Sequence, residues 1–258
     1  MRQEFSRTEL LIGKEGLAKL SRSKVAVFGI GGVGSYAVEG LVRCGVGSLV
    51  LVDDDCISPS NINRQLHANV KTVGKPKVAV MKERILDINP QAKVIVHQKF
   101  YMPEFTNELI LPNYDYIIDA IDTVTAKIDL IVNARQKNIP IISCMGAGNK
   151  LDPVKLEIAD LYSTSVCPLA KVMRRELRKR GIDNLKVVYS REEPVKSLQN
   201  LEHEEPFSEN VSVCLHASKR IPSNHRSILG SIAFVPSVAG MLLAGEVVKD
   251  LIGYQTPQ

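Results

Sequence analysis

No CxxC pair occurs in this chain of 258 residues. Its five cysteines, Cys44, Cys56, Cys144, Cys167 and Cys214, are odd in number and widely spaced. A four-cysteine zinc site and a disulfide framework are therefore not expected, and reduced thiols in a cytoplasmic protein fit best. Residues 1–5 carry no apolar stretch, so no secretory signal is expected. Charge of one sign is scarce as well. Lys and Arg number 33 against 28 Asp and Glu, leaving +5, a surplus that permits contact with a polyanion such as RNA without demanding it. Long apolar runs are missing apart from residues 228–248, which are nearly long enough to span a bilayer. Pro236 interrupts that stretch, Ser231 and Ser237 dilute it, and Glu246 stands near its end. A buried strand followed by a core helix with Pro236 in its first turn is the better reading, and no membrane span is expected. No internal repeat is visible.

What is present is an alternation. Hydrophobic residues make up 45% and charged residues 24%, enough for a real core. Short apolar runs alternate with helical patterns, the signature of a parallel sheet covered by helices. Strands are expected at residues 24–28, 49–53, 93–97, 116–120 and 139–144. Helices are expected at 34–44, 75–88 and 125–137, the last capped by Asp122 or Thr123. The fold class is α/β: a Rossmann-like, doubly wound, mostly parallel sheet with a C-terminal extension. Residues 1–150 form the nucleotide-binding core. Residues 151–258 form a C-terminal part packed on the same domain, with strands near 155–158 and 186–189, a basic helix at 169–180, a mobile insertion at about 191–226 and the core helix.

The first strand runs straight into Gly29-Ile30-Gly31-Gly32-Val33-Gly34 and then into a helix. Glycines let the backbone turn tightly and approach a phosphate, and the helix start offers free N–H groups. Asp53 lies nineteen residues after Gly34, at the next strand end, where a carboxylate can accept from ribose hydroxyls. Asp55 belongs to the same acidic run. A glycine turn alone says only "nucleotide". Asn61-Ile62-Asn63-Arg64-Gln65 and Gly74-Lys75-Pro76-Lys77 say more. Arg64 and Lys77 converging on the sheet's carboxyl edge would neutralise a triphosphate and the charge that develops as pyrophosphate leaves. Asn61 and Gln65 could orient the reacting groups. The plainer alternative for Arg64 is a surface salt bridge to residues 53–55. Asp122, after the fourth strand, is well placed to hold magnesium, with Asp119 the competing, more buried choice.

These residues together resemble the adenylating family of the ubiquitin-activating enzymes and the bacterial molybdopterin- and thiamine-pathway adenylyltransferases. The shared pattern is GxGGxG, the strand-end acid, N-x-x-R-Q, G-x-P-K and the later Asp, over residues 5–148. The resemblance implies an ATP site at Gly31, Asp53, Asn61, Arg64, Gln65, Lys77 and Asp122, with Mg2+, and activation of a carboxylate as an acyl-adenylate. It also implies a homodimer in which Arg7 of one subunit reaches the ATP of the other.

Departures narrow the choice. The CxxC pairs usual in the pathway enzymes are missing, and Lys127 stands where an arginine is common. Residues 63–68, the basic helix, and residues 233–240 look like the tRNA threonylcarbamoyladenosine dehydratases, over nearly the whole chain. That resemblance implies ATP-dependent adenylation of the modified adenosine's free carboxylate, with tRNA as partner. On the basic helix Lys171, Arg174, Arg175 and Arg178 are the candidate tRNA contacts, with Leu169, Val172 and Leu177 facing inward and a solvated face as the plainer reading. The alternatives are an adenylyltransferase for a small sulfur-carrier protein and a nicotinamide-binding module. Cys167 or Cys214 could serve a sulfur-transfer partner, although an incidental reduced cysteine is favoured. His67 more often positions a loop than acts as an acid–base group.

Overall fold

The computed structural model describes residues 3–195 and 229–254; the expected insertion at 191–226 therefore lies almost wholly outside the described residues. Residues 6–22 form α1 (Ser6–Arg22), helical on both sides of a break at Gly13, where the sequence predicts no element. Then come β1 (Lys24–Phe28), α2 (Gly34–Arg43), β2 (Ser48–Val52), α3 (Lys77–Ile88), β3 (Lys93–His97), the single turn α4 (Thr106–Leu109), β4 (Tyr116–Asp119), α5 (Val124–Gln136) and β5 (Ile141–Cys144). β6 (Leu156–Asp160), α6 (Pro168–Arg178), β7 (Lys186–Ser190) and α7 (Phe234–Ile252) follow.

The seven strands among the described residues form one sheet in the order β3-β2-β1-β4-β5-β7-β6. Every pairing is parallel except β6 with β7. The strands read as continuous apolar runs because both faces are covered, and their period of two splits them between two cores. Val25 and Val27 of β1 pack with Ala37, Leu41, Met81, Leu243 and Val247 of α2, α3 and α7. Ala26 and Phe28 face the other way, toward Leu130, Ile131, Met173 and Leu177 of α5 and α6.

α7 lies directly on α2. A Cβ on Gly240 would meet Val33 O at 2.3 Å and Tyr36 Cβ at 2.8 Å, so the two helices touch backbone to backbone and only glycine fits. Pro236 sits in the first turn of α7, as expected. The strand expected before it does not form: residues 229–233 have no regular secondary structure. Ile232 packs on the core from there without strand pairing. No helix among the described residues is long and apolar enough to cross a membrane.

Candidate active site

The strand order reverses between β1 and β4, and in such sheets ligands bind at the carboxyl ends of the strands beside that switch point. A cavity of about 430 Å3 opens there. Gly29, Gly31, Gly32, Asp53, Asp55, Asn61, Arg64, Gln65, Lys77 and Asp122, named from the sequence, all line it. Gly34 does not. A Cβ there would overlap Gly29 O at 1.8 Å, so this glycine serves the turn's own closure. Gly31 is the opposite case, since its nearest neighbour would be Gln65 Nε2 at 3.9 Å. No protein atom requires a glycine at that position, and the open space before it is where a phosphate could meet the backbone. Arg7 is exposed on α1 and is not part of the cavity wall.

The acid at the end of β2 organises the loops around it. Asp53 accepts from Ile30 N (2.6 Å) and from Asp55 N (2.9 Å), tying the glycine turn to the acidic run. Burial pushes the Asp53 carboxyl up, against the pull of Lys77 and of the two backbone donors. Lys77, nearly buried at the start of α3, reaches Asp55 at 2.8 Å and Asp53 at 3.8 Å. Two carboxylates thus hold one ammonium in the cavity wall, where an incoming polyphosphate could compete for it.

Arg64 does not lie flat on the acidic run. Its guanidinium donates to Ser60 O (2.8 Å) and Asn63 Oδ1 (3.0 Å) within its own loop. Asn61 Oδ1 accepts from Ser58 N (3.1 Å) in a capping box that shapes the loop. Gln65 is buried in the cavity wall, with no hydrogen-bond partner for Oε1 among the described residues, a polar end facing a space that a ligand could satisfy.

Asp122 is exposed at the rim, and among the described residues its carboxylate is bonded by Thr123 Oγ1 at 3.2 Å. Asp119, the competing choice weighed from the sequence, is fully buried. It is 0% exposed and accepts from Ser143 Oγ (2.5 Å), Ile121 N (3.1 Å) and Lys127 Nζ (2.9 Å). Lys127, likewise 0% exposed, also donates to Ile121 O (3.0 Å). Both sides of Ile121 are thereby clamped just before Asp122.

The sequence reading missed part of the lining. Lys99, Phe100 and Tyr101 follow β3, residues 144–148 end β5, and residues 229–231 precede α7.

The model of the ThiF family matches residues 5–258. The chain belongs to the ThiF family. A tRNA threonylcarbamoyladenosine dehydratase of Bacillus subtilis is 46% identical over 253 residues, 98% of this chain and 96% of that protein. A crystal structure of Escherichia coli tRNA N6-threonylcarbamoyladenosine dehydratase, TcdA, in complex with ATP superposes with a TM-score of 0.82 at 31% identity, covering 98% of this chain and 95% of that one. An adenylyltransferase and sulfurtransferase, uba4, of Aspergillus niger matches only 51% of this chain and 27% of its own length, at 36% identity. The Bacillus subtilis dehydratase thus matches nearly the whole chain, whereas the adenylyltransferase and sulfurtransferase matches about half of it.

Other residues singled out from the sequence fall away from the cavity or behave differently. On α6 the buried residues are Ala170, Met173 and Leu177, with Leu169 and Val172 only half-buried. Arg174 is no free surface charge: it donates to Thr164 O (2.9 Å) and to Thr164 Oγ1, pinning the preceding loop. Arg178 lies over the Tyr162 ring at 5.2 Å. Lys179, Arg180 and Arg175 surround Glu176 and hold its carboxyl down at about 2. Lys171 and Arg175 remain exposed.

His67 is buried with neither ring nitrogen bonded among the described residues, and burial pulls it down to about 4. It stands in the wall of the loop, outside the cavity lining. Cys44, Cys144 and Cys167 are free thiols; burial pushes Cys144 up to about 12, which makes it a poor nucleophile. Cys56 departs from the expectation of reduced thiols: it is disulfide-bonded.

Proposed function

We propose that this protein is an enzyme, an ATP-dependent dehydratase that cyclises threonylcarbamoyladenosine in tRNA by adenylating its carboxylate. The observation that carries this reading is the end-to-end similarity to the Bacillus subtilis dehydratase, 46% over 98% of the chain. The cavity's chemistry supports it. Asp53 is the ribose acceptor, Gly31 leaves the space for phosphate, and Arg64 and Lys77 are the cations for the β- and γ-phosphates. Asn61 and Gln65 offer amide groups to the reacting oxygens.

In the first step a carboxylate oxygen of the substrate attacks the α-phosphorus, and the bond to the β-phosphate oxygen breaks. Pyrophosphate leaves with its negative charge facing Arg64 and Lys77. In the second, a nitrogen of the substrate's urea group attacks the acyl carbon, loses its proton and expels AMP. That attack is intramolecular, so proximity replaces an enzyme nucleophile. The buried, high-pKa Cys144 and the neutral, walled-off His67 are consistent with a scheme that uses neither.

A magnesium ion fits the donor set: Asp122 offers an exposed carboxylate at the rim of the cavity. Bound there, the ion would neutralise phosphate charge. The protein acts on tRNA as a cytoplasmic homodimer in this reading, with Arg7 reaching the partner's cavity and Lys171, Arg175 and Arg178 meeting tRNA phosphates.

The test is one incubation of the protein with ATP, magnesium and tRNA carrying threonylcarbamoyladenosine, followed by nucleoside mass. Loss of one water, dependent on ATP, is expected. An unchanged mass, with adenylation of a carrier protein's C-terminus instead, would replace this reading by the carrier-activating one.

A further inference from the structure

Residues 229–231 enter the cavity wall without belonging to any element of the sheet. What holds them there is one residue on each neighbouring loop. Asn149 N donates to Gly230 O (2.8 Å), and Gly230 N donates back to Asn149 Oδ1 (2.6 Å). On the other side Asn63 Nδ2 donates to Ser231 O (2.9 Å), while Asn63 Oδ1 accepts from Arg64. Asn149 O also accepts from Val195 N (2.8 Å). Asn149 is itself left-handed, with φ 54°, a conformation that asparagine tolerates better than most residues.

The base under Asn149 is rigid. Lys150 Nζ donates to Glu192 O, and the Glu192 carboxylate accepts from Leu151 N (2.9 Å) and Asp152 N (2.9 Å). Asn149 is thus the last firmly held residue before the cavity, and Gly230 hangs on it by two reciprocal bonds.

The side of the cavity matters. Asp53 directly follows β2, and the 144–148 loop leaves the end of β5, three strands away in the sheet. At about 4.8 Å per strand that is about 14 Å. With ribose at Asp53 and phosphates at Gly31, the bank made by residues 144–148 and 229–231 is left for whatever attacks the α-phosphorus. Leu229 is exposed along that bank, an apolar edge beside open backbone groups.

We propose that Asn149 is a positioning residue for the acyl substrate: by pinning Gly230 it sets the wall against which the carboxylate-bearing nucleoside lies, and it does not serve ATP. This rests on the adenylating reading above. Two variants isolate the role. Asn149→Gly keeps the left-handed backbone and removes the side chain, and with it the Oδ1 acceptor, whereas Asn149→Asp keeps an acceptor in place. Steady-state kinetics with modified tRNA and with ATP, together with hydrogen exchange at Gly230, read the effect. Asn149→Gly should raise the KM for tRNA about tenfold, the size of one lost hydrogen bond, leave the KM for ATP unchanged and speed exchange at Gly230. Asn149→Asp should restore most of the tRNA KM. A tRNA KM unchanged in Asn149→Gly, or tRNA and ATP KM rising together, overturns the inference. If the wild-type protein itself leaves the tRNA nucleoside unconverted, the proposed function fails first and takes this role with it.

Discussion

Replacing Lys127 by methionine should destabilise the protein by about 3–5 kcal/mol, the cost of breaking a buried ion pair from one side. The structure says why the loss should be large. Lys127 and Asp119 are both 0% exposed, so no water can take the place of the missing ammonium. Asp119 would keep Ser143 Oγ and Ile121 N as donors and lose the 2.9 Å contact to Lys127. Ile121 O would lose its 3.0 Å donor at the same stroke. For a chain of this size such a loss lowers Tm by about 10 °C. Calorimetry or urea unfolding followed by circular dichroism would measure it. The double variant Asp119→Asn with Lys127→Met removes both charges and should recover part of the loss, because the stranded carboxylate causes most of it. A single-variant loss below about 1 kcal/mol, or a double variant no more stable than the single, would refute the reasoning.

Gly31→Ala should fold with wild-type stability, since its Cβ meets nothing closer than 3.9 Å, yet raise the KM for ATP by at least tenfold, about 1.4 kcal/mol; normal ATP kinetics would remove the phosphate from that position. Arg64→Ala breaks bonds only within its own loop, so Tm should hold while AMP formation falls by about a hundredfold or more; near-normal turnover would end its assigned role. Folded His67 sits near 4 against an ordinary 6.5. Between those values the unfolded chain takes up a proton that the folded chain refuses, so stability should fall by up to about 3 kcal/mol as pH drops from 6.5 toward 4. In His67→Leu that part of the slope should vanish, and an undiminished slope would assign it elsewhere. Lys171→Glu with Arg175→Glu should weaken tRNA binding and flatten its salt dependence by about two phosphate contacts; an unchanged slope would move the tRNA to another face.

Much of the frame was legible because burial writes a simple pattern. β1 and β3 fall where their apolar runs predict, and both faces of β1 find helices because every residue in it after Lys24 is apolar. The cavity residues of the glycine turn and residues 53–77 were legible because phosphate chemistry needs particular side chains at particular strand ends. α1 was not. Leu10 and Leu11 are 86% and 87% exposed, and Gly13 breaks the helix with φ 72°, so apolar spacing carries no signal there. Arg174 shows the limit for charge: its place in a basic run cannot reveal that the guanidinium bonds Thr164. Lys99, Phe100 and residues 144–148 could have been anticipated, since they follow β3 and β5 at the ligand-binding edge. Residues 229–231 could not, because tertiary bonds from Asn63 and Asn149 hold them at the site.

In the proposed reaction the substrate's carboxylate is adenylated on the way to the ring. Label both carboxylate oxygens of threonylcarbamoyladenosine in tRNA with oxygen-18 and recover AMP after one turnover. One carboxylate oxygen becomes the bridge to the α-phosphorus, and ring closure cleaves its bond to carbon, so the AMP phosphate should carry one heavy oxygen. Unlabelled AMP, with the ring closed and a heavy oxygen lost to water, would contradict the account.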